Sequence, residues 1–301
     1  MPTLSVVLVD AFTDRAFAGN ACAVVLDARH LPAEHYQPIA REMNQAETAF
    51  VRAVELCDGH ARIDVRYYTP AEEIPLAGHP TIAVAAALVH TGSLQIDRVP
   101  VSVTFDLRDG PVIVDIRRLA SNGLTHATMT QRAPHFMATY DAEEILSAFG
   151  LRTDDLLQGV PVQTVSMGTP QLMVPLRDHD ALRRARLNAS EYEGLRERGD
   201  FFSPHLFCLG GMTAEGATSA RHFGIHPDIA EDPVTGSATG GMAAYLWHYR
   251  LIQNPVFIAE QGHWMGRPGR VEVEVVGSRS AIEAVRIAGT AVIVMEGRLT
   301  Y

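Results

Sequence analysis

Gly78-His79-Pro80-Thr81-Ile82-Ala83-Val84-Ala85-Ala86-Ala87-Leu88 and Gly236-Ser237-Ala238-Thr239-Gly240-Gly241-Met242-Ala243-Ala244-Tyr245-Leu246 are two copies of one turn-into-helix stretch. Laid over each other, Gly78/Gly236, Thr81/Thr239, Ala85/Ala243, Ala86/Ala244 and Leu88/Leu246 coincide. The approach to each copy rhymes as well, through Arg66-Tyr67-Tyr68 and Arg221-His222-Phe223. Each copy reads as a glycine turn followed by a helix of small, uncharged residues. A helix apolar nearly all round must be buried nearly all round. Its first turn leaves backbone N–H groups without intrahelical partners, at the positive end of the helix dipole. Two such starts facing each other would clamp an anion, most simply a carboxylate.

Outward from the two helices the chain reads as strands. Leu4 to Val9, Ala21 to Leu26, Thr48 to Val54 and Ala61 to Tyr68 precede the first copy, with a helix over Pro32 to Met43. Val101 to Leu107 alternates at period two, and Val112 to Ile116 follows Asp109-Gly110, which predicts a hairpin. The pattern lapses from Leu119 to Pro134, and the order then recurs. Helices start near Asp141 and Asp180, strands lie near Val162 to Ser166 and Gln171 to Leu176, and the second copy follows. Arg270 to Val276, Ala284 to Ala288 and Ala291 to Met295 close the chain as strands. The expected fold class is α+β. Two similar domains, related by a pseudo-twofold, would each wrap a curved, mostly antiparallel sheet or barrel around a central helix. The expected boundaries are 1–125, with the last strand at about 288–301 as a candidate to complete that domain, and 126–287.

Composition narrows the function classes. A chain of 301 residues exceeds one average core, and 47% hydrophobic with 20% charged residues is ordinary for a globular protein. A formal net charge of −10 argues against nucleic acid or an anionic membrane surface as partner. Cys22, Cys57 and Cys208 show neither a disulfide framework nor zinc spacing. Met1-Pro2-Thr3-Leu4 lacks a signal-peptide n-region, and no run of eighteen apolar residues occurs, so the expected location is the cytoplasm. No strand–GxGxxG–helix or GxxxxGK[ST] motif supports a nucleotide cofactor.

Few ionisable or polar side chains lie at the helix starts. They are His79, Ser237, Asp232 with Glu231, and, at the head of a strand, Glu47. A carboxylate withdrawn from water is suited to acid/base work near neutral pH, although a strand-end glutamate is more often solvated. A helix dipole disfavours protonated His79, and a neutral imidazole both donates and accepts; the plainer reading bonds it to its own helix. Asp232 before Pro233 suits a turn, and Ser237 suits a cap. His222, His226 and Asp228 lack metal-ligand spacing, and Ser237 lacks a GxSxG elbow. Arg66 and Arg221 read as buttresses of the two turns.

These residues resemble the phenazine-biosynthesis PhzF-like family, within the diaminopimelate-epimerase-like fold. The resemblance rests on six blocks in order: Val9-Asp10-Ala11-Phe12-Thr13-Asp14 with Phe17, Gly19-Asn20 and Cys22-Ala23-Val24-Val25; Glu47-Thr48-Ala49-Phe50-Val51; Arg66-Tyr67-Tyr68-Thr69-Pro70; Glu73-Ile74-Pro75-Leu76-Ala77-Gly78-His79; Glu231-Asp232-Pro233-Val234-Thr235-Gly236-Ser237-Ala238; and Glu260-Gln261-Gly262 with Gly266-Arg267-Pro268. It implies a cleft between two domains, no cofactor, and usually a homodimer, and the ligand spacing indicates no metal. It matches Glu47 to the family's proton-shuttling glutamate, and His79, Asp232 and Ser237 to residues along the proton path and substrate. Gly78 and Gly236, with Thr235 and Ala238, fall at substrate-binding positions.

The activity implied is a cofactor-independent isomerisation by acid/base proton transfer on a small carboxylate-bearing substrate, such as trans-2,3-dihydro-3-hydroxyanthranilate or a related compound. Epimerase relatives carry paired cysteines before the two glycines, where this chain has Ala77 and Thr235, so two-thiol racemisation is not expected. Pro80 stands where some members have alanine, and it removes one N–H from the anion clamp. The alternatives are an epimerase using Glu47 with another partner, and a small-molecule binding protein without turnover.

Overall fold

The computed structural model describes residues 2–57, 60–96, 99–224 and 230–301. The fold is α+β, and the chain divides into two similar compact units, Met1–Thr130 with Ala288–Tyr301, and Gln131–Ile287.

In the first unit, β1 (Thr3–Ala11) runs antiparallel to β2 (Asn20–Val25), and β2 is parallel to β3 (Glu47–Cys57). Helix α1 (Ala33–Met43) makes that crossover. β3 pairs antiparallel with β4 (His60–Tyr68), whose end receives the short β5 (Glu73–Ile74) just before α2 (Gly78–His90). β6 (Val101–Leu107) and β7 (Gly110–Arg118) form the hairpin expected at Asp109-Gly110, and β8 (Thr125–Gln131) pairs with β7.

The second unit begins with β9 (His135–Tyr140), α3 (Ala142–Ser147), β10 (Val162–Ser166) and β11 (Pro170–Pro175). Helices α4 (His179–Arg184) and α5 (Ala189–Arg198) cross over to β12 (Ser203–Leu209), which lies parallel to β11. β13 (Gly216–Phe223), β14 (Glu231–Asp232), α6 (Gly236–His248), β15 (Val256–Gln261) and β16 (Gly269–Ser278) follow. The last strand, β17 (Ala281–Thr300), starts in the second unit and ends in the first, where it pairs with β1.

The units repeat each other down to register. Cys22 faces Glu47 across β2–β3 as Gln171 faces Ser203 across β11–β12. Tyr68 faces Glu73 as Phe223 faces Glu231. Arg66 lies 3.7 Å from Glu73, and Arg221 lies 2.7 Å from Glu231, so each arginine braces the turn before its helix. Thr81 Oγ1 donates to the Ala77 carbonyl (2.7 Å), and Thr239 Oγ1 to the Thr235 carbonyl (2.9 Å). The sequence rhyme is therefore one braced turn built twice.

In α2 every residue from Gly78 to Val89 is buried, and the helix packs on β1, β2 and β3. Helix α6 packs on β10, β11 and β16. Small side chains let strands approach such a helix from several sides. The outer sheet faces are covered too: Tyr36 and Ile39 of α1 lie over Val25 and Phe50, and Ile145, Leu182 and Tyr192 of α3–α5 over Leu172 and Leu206.

Eight of these elements lie outside the pattern read from sequence: β5, β8, β9, β12, β13, β14, β15 and α5. β8 reads Thr125-His126-Ala127-Thr128-Met129-Thr130-Gln131 and turns polar residues inward, which hides its period. Where two strands are expected near the C-terminus, β17 is continuous. A Cβ at Gly289 would stand 2.6 Å from Phe12 Cδ1, so this glycine marks close packing and does not break the strand.

Candidate functional site

Glu47 is the first residue of β3, held by the parallel register to Cys22. His79 is the second residue of α2, after the N-cap Ala77 and Gly78. Together these elements put His79 Nε2 3.1 Å from Glu47 Oε2, with side-chain exposures of 3% and 18%. Asn20, which opens β2, places its amide Nδ2 3.0 Å from His79 Nδ1. An amide NH2 only donates, so Nδ1 accepts and the ring proton sits on Nε2, the nitrogen that meets Glu47. Burial pushes the His79 imidazolium down to about 3, opposed only in part by the Ala21 carbonyl. At neutral pH the ring is therefore uncharged, and the contact is a close approach of a neutral ring to a carboxyl group without the alignment of a hydrogen bond.

The surroundings are buried. Burial, reinforced by the Glu47 carboxylate, raises the Cys22 thiol well above its ordinary value, so Cys22 is no thiolate base. Tyr67 OH lies 2.8 Å from Thr81 Oγ1, behind the first turn of α2. Gly78 and His79 bring first-turn N–H groups to this place, and Pro80 brings none. The geometry offers a carboxyl group of the kind that can take and return a proton, a neutral imidazole beside it, and N–H donors of the kind that can hold an anionic group.

The second unit holds the other expected residues. Asp232 ends β14, opposite His222 in β13. Thr235 is the N-cap of α6, with Gly236, Ser237 and Ala238 as the first three helical residues. Ser237 thus stands two positions beyond the cap, at the place His79 occupies in α2, and is half-buried. Thr235 Oγ1 donates to Asp232 Oδ2 at 2.5 Å. Gln261 Nε2 donates to the Asp232 carbonyl (2.7 Å) and to Thr235 Oγ1 (3.2 Å), and Gln261 Oε1 accepts from the Thr235 N–H (3.1 Å).

The structure therefore brings Glu47 and His79 together within the first unit, and groups Asp232, Thr235, Gly236, Ser237 and Ala238 within the second. Sequence reasoning gave no role to Asn20 or Gln261. Both stand in the quoted blocks, in Gly19-Asn20 and Glu260-Gln261-Gly262, and that membership was the available signal. His226 and Asp228 lie outside the described residues. Among the described residues no group of three or more His, Cys, Asp or Glu side chains is arranged to hold a metal ion. Among the same residues no helix is long and apolar enough to cross a membrane.

A family model described as phenazine biosynthesis-like protein matches residues 9–297. The uncharacterized isomerase YfhB of Bacillus subtilis is 30% identical over 294 residues, 97% of this chain and 97% of its own. A crystal structure of a Bacillus anthracis phenazine biosynthesis protein of the PhzF family superposes with a TM-score of 0.87 at 34% identity, covering 100% of both chains. A hydroxyproline epimerase from Agrobacterium vitis is similar in fold alone, with a TM-score of 0.66 at 10% identity over 99% of this chain and 92% of that one.

Proposed function

The chain belongs to the phenazine biosynthesis-like protein family, and from that premise we propose that it is a cofactor-independent isomerase acting by proton transfer on a small unsaturated carboxylate. The observation that carries the proposal is the Glu47 carboxyl group 3.1 Å from the uncharged, Asn20-oriented ring of His79. Glu47 takes a proton from one substrate carbon and returns it to another, and the double bond relocates between them. His79 stays uncharged beside Glu47 throughout, because its second protonation is suppressed by burial. The first-turn N–H groups of α2 hold a carboxylate, and Asp232 and Ser237, matched by the resemblance, hold the substrate's polar groups and carry its proton. Isomerase is also the activity in the names of relatives such as YfhB.

Ala77 has no group that exchanges a proton, so a pair of thiols flanking the substrate is not the mechanism. The substrate proposed for trial is trans-2,3-dihydro-3-hydroxyanthranilate or a related cyclic amino carboxylate, and the assembly is a cytoplasmic homodimer. Proton NMR in deuterated water tests the chemistry. Wild type should relocate the double bond with deuterium incorporation, and Glu47→Gln should slow this by about 10²–10⁴-fold, the usual contribution of a positioned acid/base. Near-normal turnover by Glu47→Gln would overturn the role of Glu47. Inversion of a centre without migration of the double bond would make the protein an epimerase, and binding without exchange would make it a binder.

A further inference from the structure

Thr235 and Gln261 take no part in the proton shuttle as described, yet they form one hydrogen-bonded chain that ends on a proposed site carboxylate. We propose that Thr235 and Gln261 are positioning residues that fix the Asp232 carboxylate in one orientation for the reaction; the inference rests on the isomerase reading, in which Asp232 serves the substrate.

Gln261 is buried, with 3% of its surface exposed. Both kinds of polar atom on its amide are spent on a single turn. Nε2 donates to the Asp232 carbonyl at 2.7 Å and to Thr235 Oγ1 at 3.2 Å, and Oε1 accepts the Thr235 N–H at 3.1 Å. Thr235 Oγ1 already accepts from this amide, so its own proton goes to Asp232 Oδ2, 2.5 Å away. The direction of the chain is fixed: amide to hydroxyl to carboxylate. Linked donors of this kind polarise one another, and the last one holds a carboxylate firmly.

Gln261 is itself immobilised. It ends β15, with Ala220 opposite on one side and Gly269 on the other. Gly262 follows at φ +82°, and a Cβ there would stand 2.7 Å from the Pro233 carbonyl and 2.3 Å from that of Arg267. Glycine is required for the strand end to lie against the turn that carries Asp232. The motif thus supplies one residue that bonds the turn and one that lets the backbone reach it.

The first unit serves as an internal control. Its turn has the same register and the same arginine brace, but Ile74 and Ala77 stand where the second has Asp232 and Thr235. Neither Ile74 nor Ala77 has a polar side-chain atom. The turn-into-helix backbone therefore forms without such a clamp, and the clamp in the second unit serves the Asp232 carboxylate.

The test uses the full chain with Thr235→Val, Thr235→Ser, Gln261→Leu and Asp232→Asn, and the double variant Thr235→Val/Asp232→Asn. With trans-2,3-dihydro-3-hydroxyanthranilate as probe, Thr235→Val and Gln261→Leu should lower kcat by about 10–100-fold with KM within about 3-fold, the scale of a small misplacement. Thr235→Ser should restore kcat, and Thr235→Val should add nothing in the Asp232→Asn background. Wild-type kcat in Thr235→Val, or a full additional loss in the double variant, would overturn the inference. A second readout needs no substrate. The ¹³Cγ resonance of Asp232 should move in Thr235→Val and return in Thr235→Ser, and an unmoved resonance would overturn the clamp. A shift without turnover by wild type would keep the clamp and refute the substrate.

Discussion

His79 shows how one neighbour sets the chemistry of a side chain. Its ring is buried at a helix start, which alone disfavours the imidazolium, and the Asn20 amide then decides which nitrogen carries the single proton. Replacing that donor with an acceptor should undo both effects. In Asn20→Asp, a carboxylate against Nδ1 favours a proton there, so the ring takes up its second proton at a higher pH, between two carboxyl groups. NMR of the ring carbons should show wild-type His79 uncharged from pH 8 down to 5, and Asn20→Asp should bring its titration up from about 3 toward the ordinary value of 6.5. Ordinary titration in wild type would mean that the pocket is wet. Sequence made Glu47 and His79 visible as residue types near a helix start. Asn20 had no such signal, because its role depends on a contact between residues separated by 59 positions.

Helices α2 and α6 were legible for a physical reason: small residues without charge, free of strand alternation, have one comfortable place, inside a sheet. Their neighbours were less so. β12 was hidden because Ser203 and His205 face inward beside apolar residues, and α5 because Ala189–Arg198 carries only Tyr192 and Leu195 to the core. Glycines within α6 show the packing that sequence cannot. A Cβ on Gly240 would lie 1.7 Å from Gln131 Oε1, whereas one on Gly241 would lie 2.9 Å from the flexible Met173 Cε. Alanine gains about 1 kcal/mol of helix propensity at either site. At Gly240 it must also displace Gln131 and break its bond to the Gly236 carbonyl, leaving a buried donor unpaired at about 1–3 kcal/mol on top of the overpacking. Gly240→Ala should therefore lower the thermal midpoint, and Gly241→Ala should leave it within a degree or two of wild type. Calorimetry of the two variants decides this, and equal midpoints would show that Gln131 yields without cost.

Across the whole chain, buried uncharged histidines link stability to pH. His79 lies in the first unit and His205 and His222 in the second, the last two with Nδ1 atoms 3.3 Å apart. Burial lowers all three, His79 and His222 to about 3, and His205 is lowered further by its neighbour. The unfolded chain takes up these protons below about pH 6.5, while the folded chain refuses them until much lower pH. The unfolded state then binds more protons, so the stabilisation is complete above 6.5 and is lost as pH falls toward 3. Each histidine contributes a slope of up to about 1.4 kcal/mol per pH unit within that window. Carboxylates whose folded values are depressed, such as Asp155 held by Arg184, lose their contribution only nearer pH 4, so the interval from 6.5 to 5 isolates the histidines. Urea midpoints should fall steadily across that interval in wild type. They should fall less steeply in His222→Gln, whose amide still bonds Ser203 without titrating. A wild-type midpoint that stays flat down to pH 5 would require these rings to be as readily protonated in the fold as in the unfolded chain. That in turn would remove the reason for treating His79 as a neutral partner of Glu47.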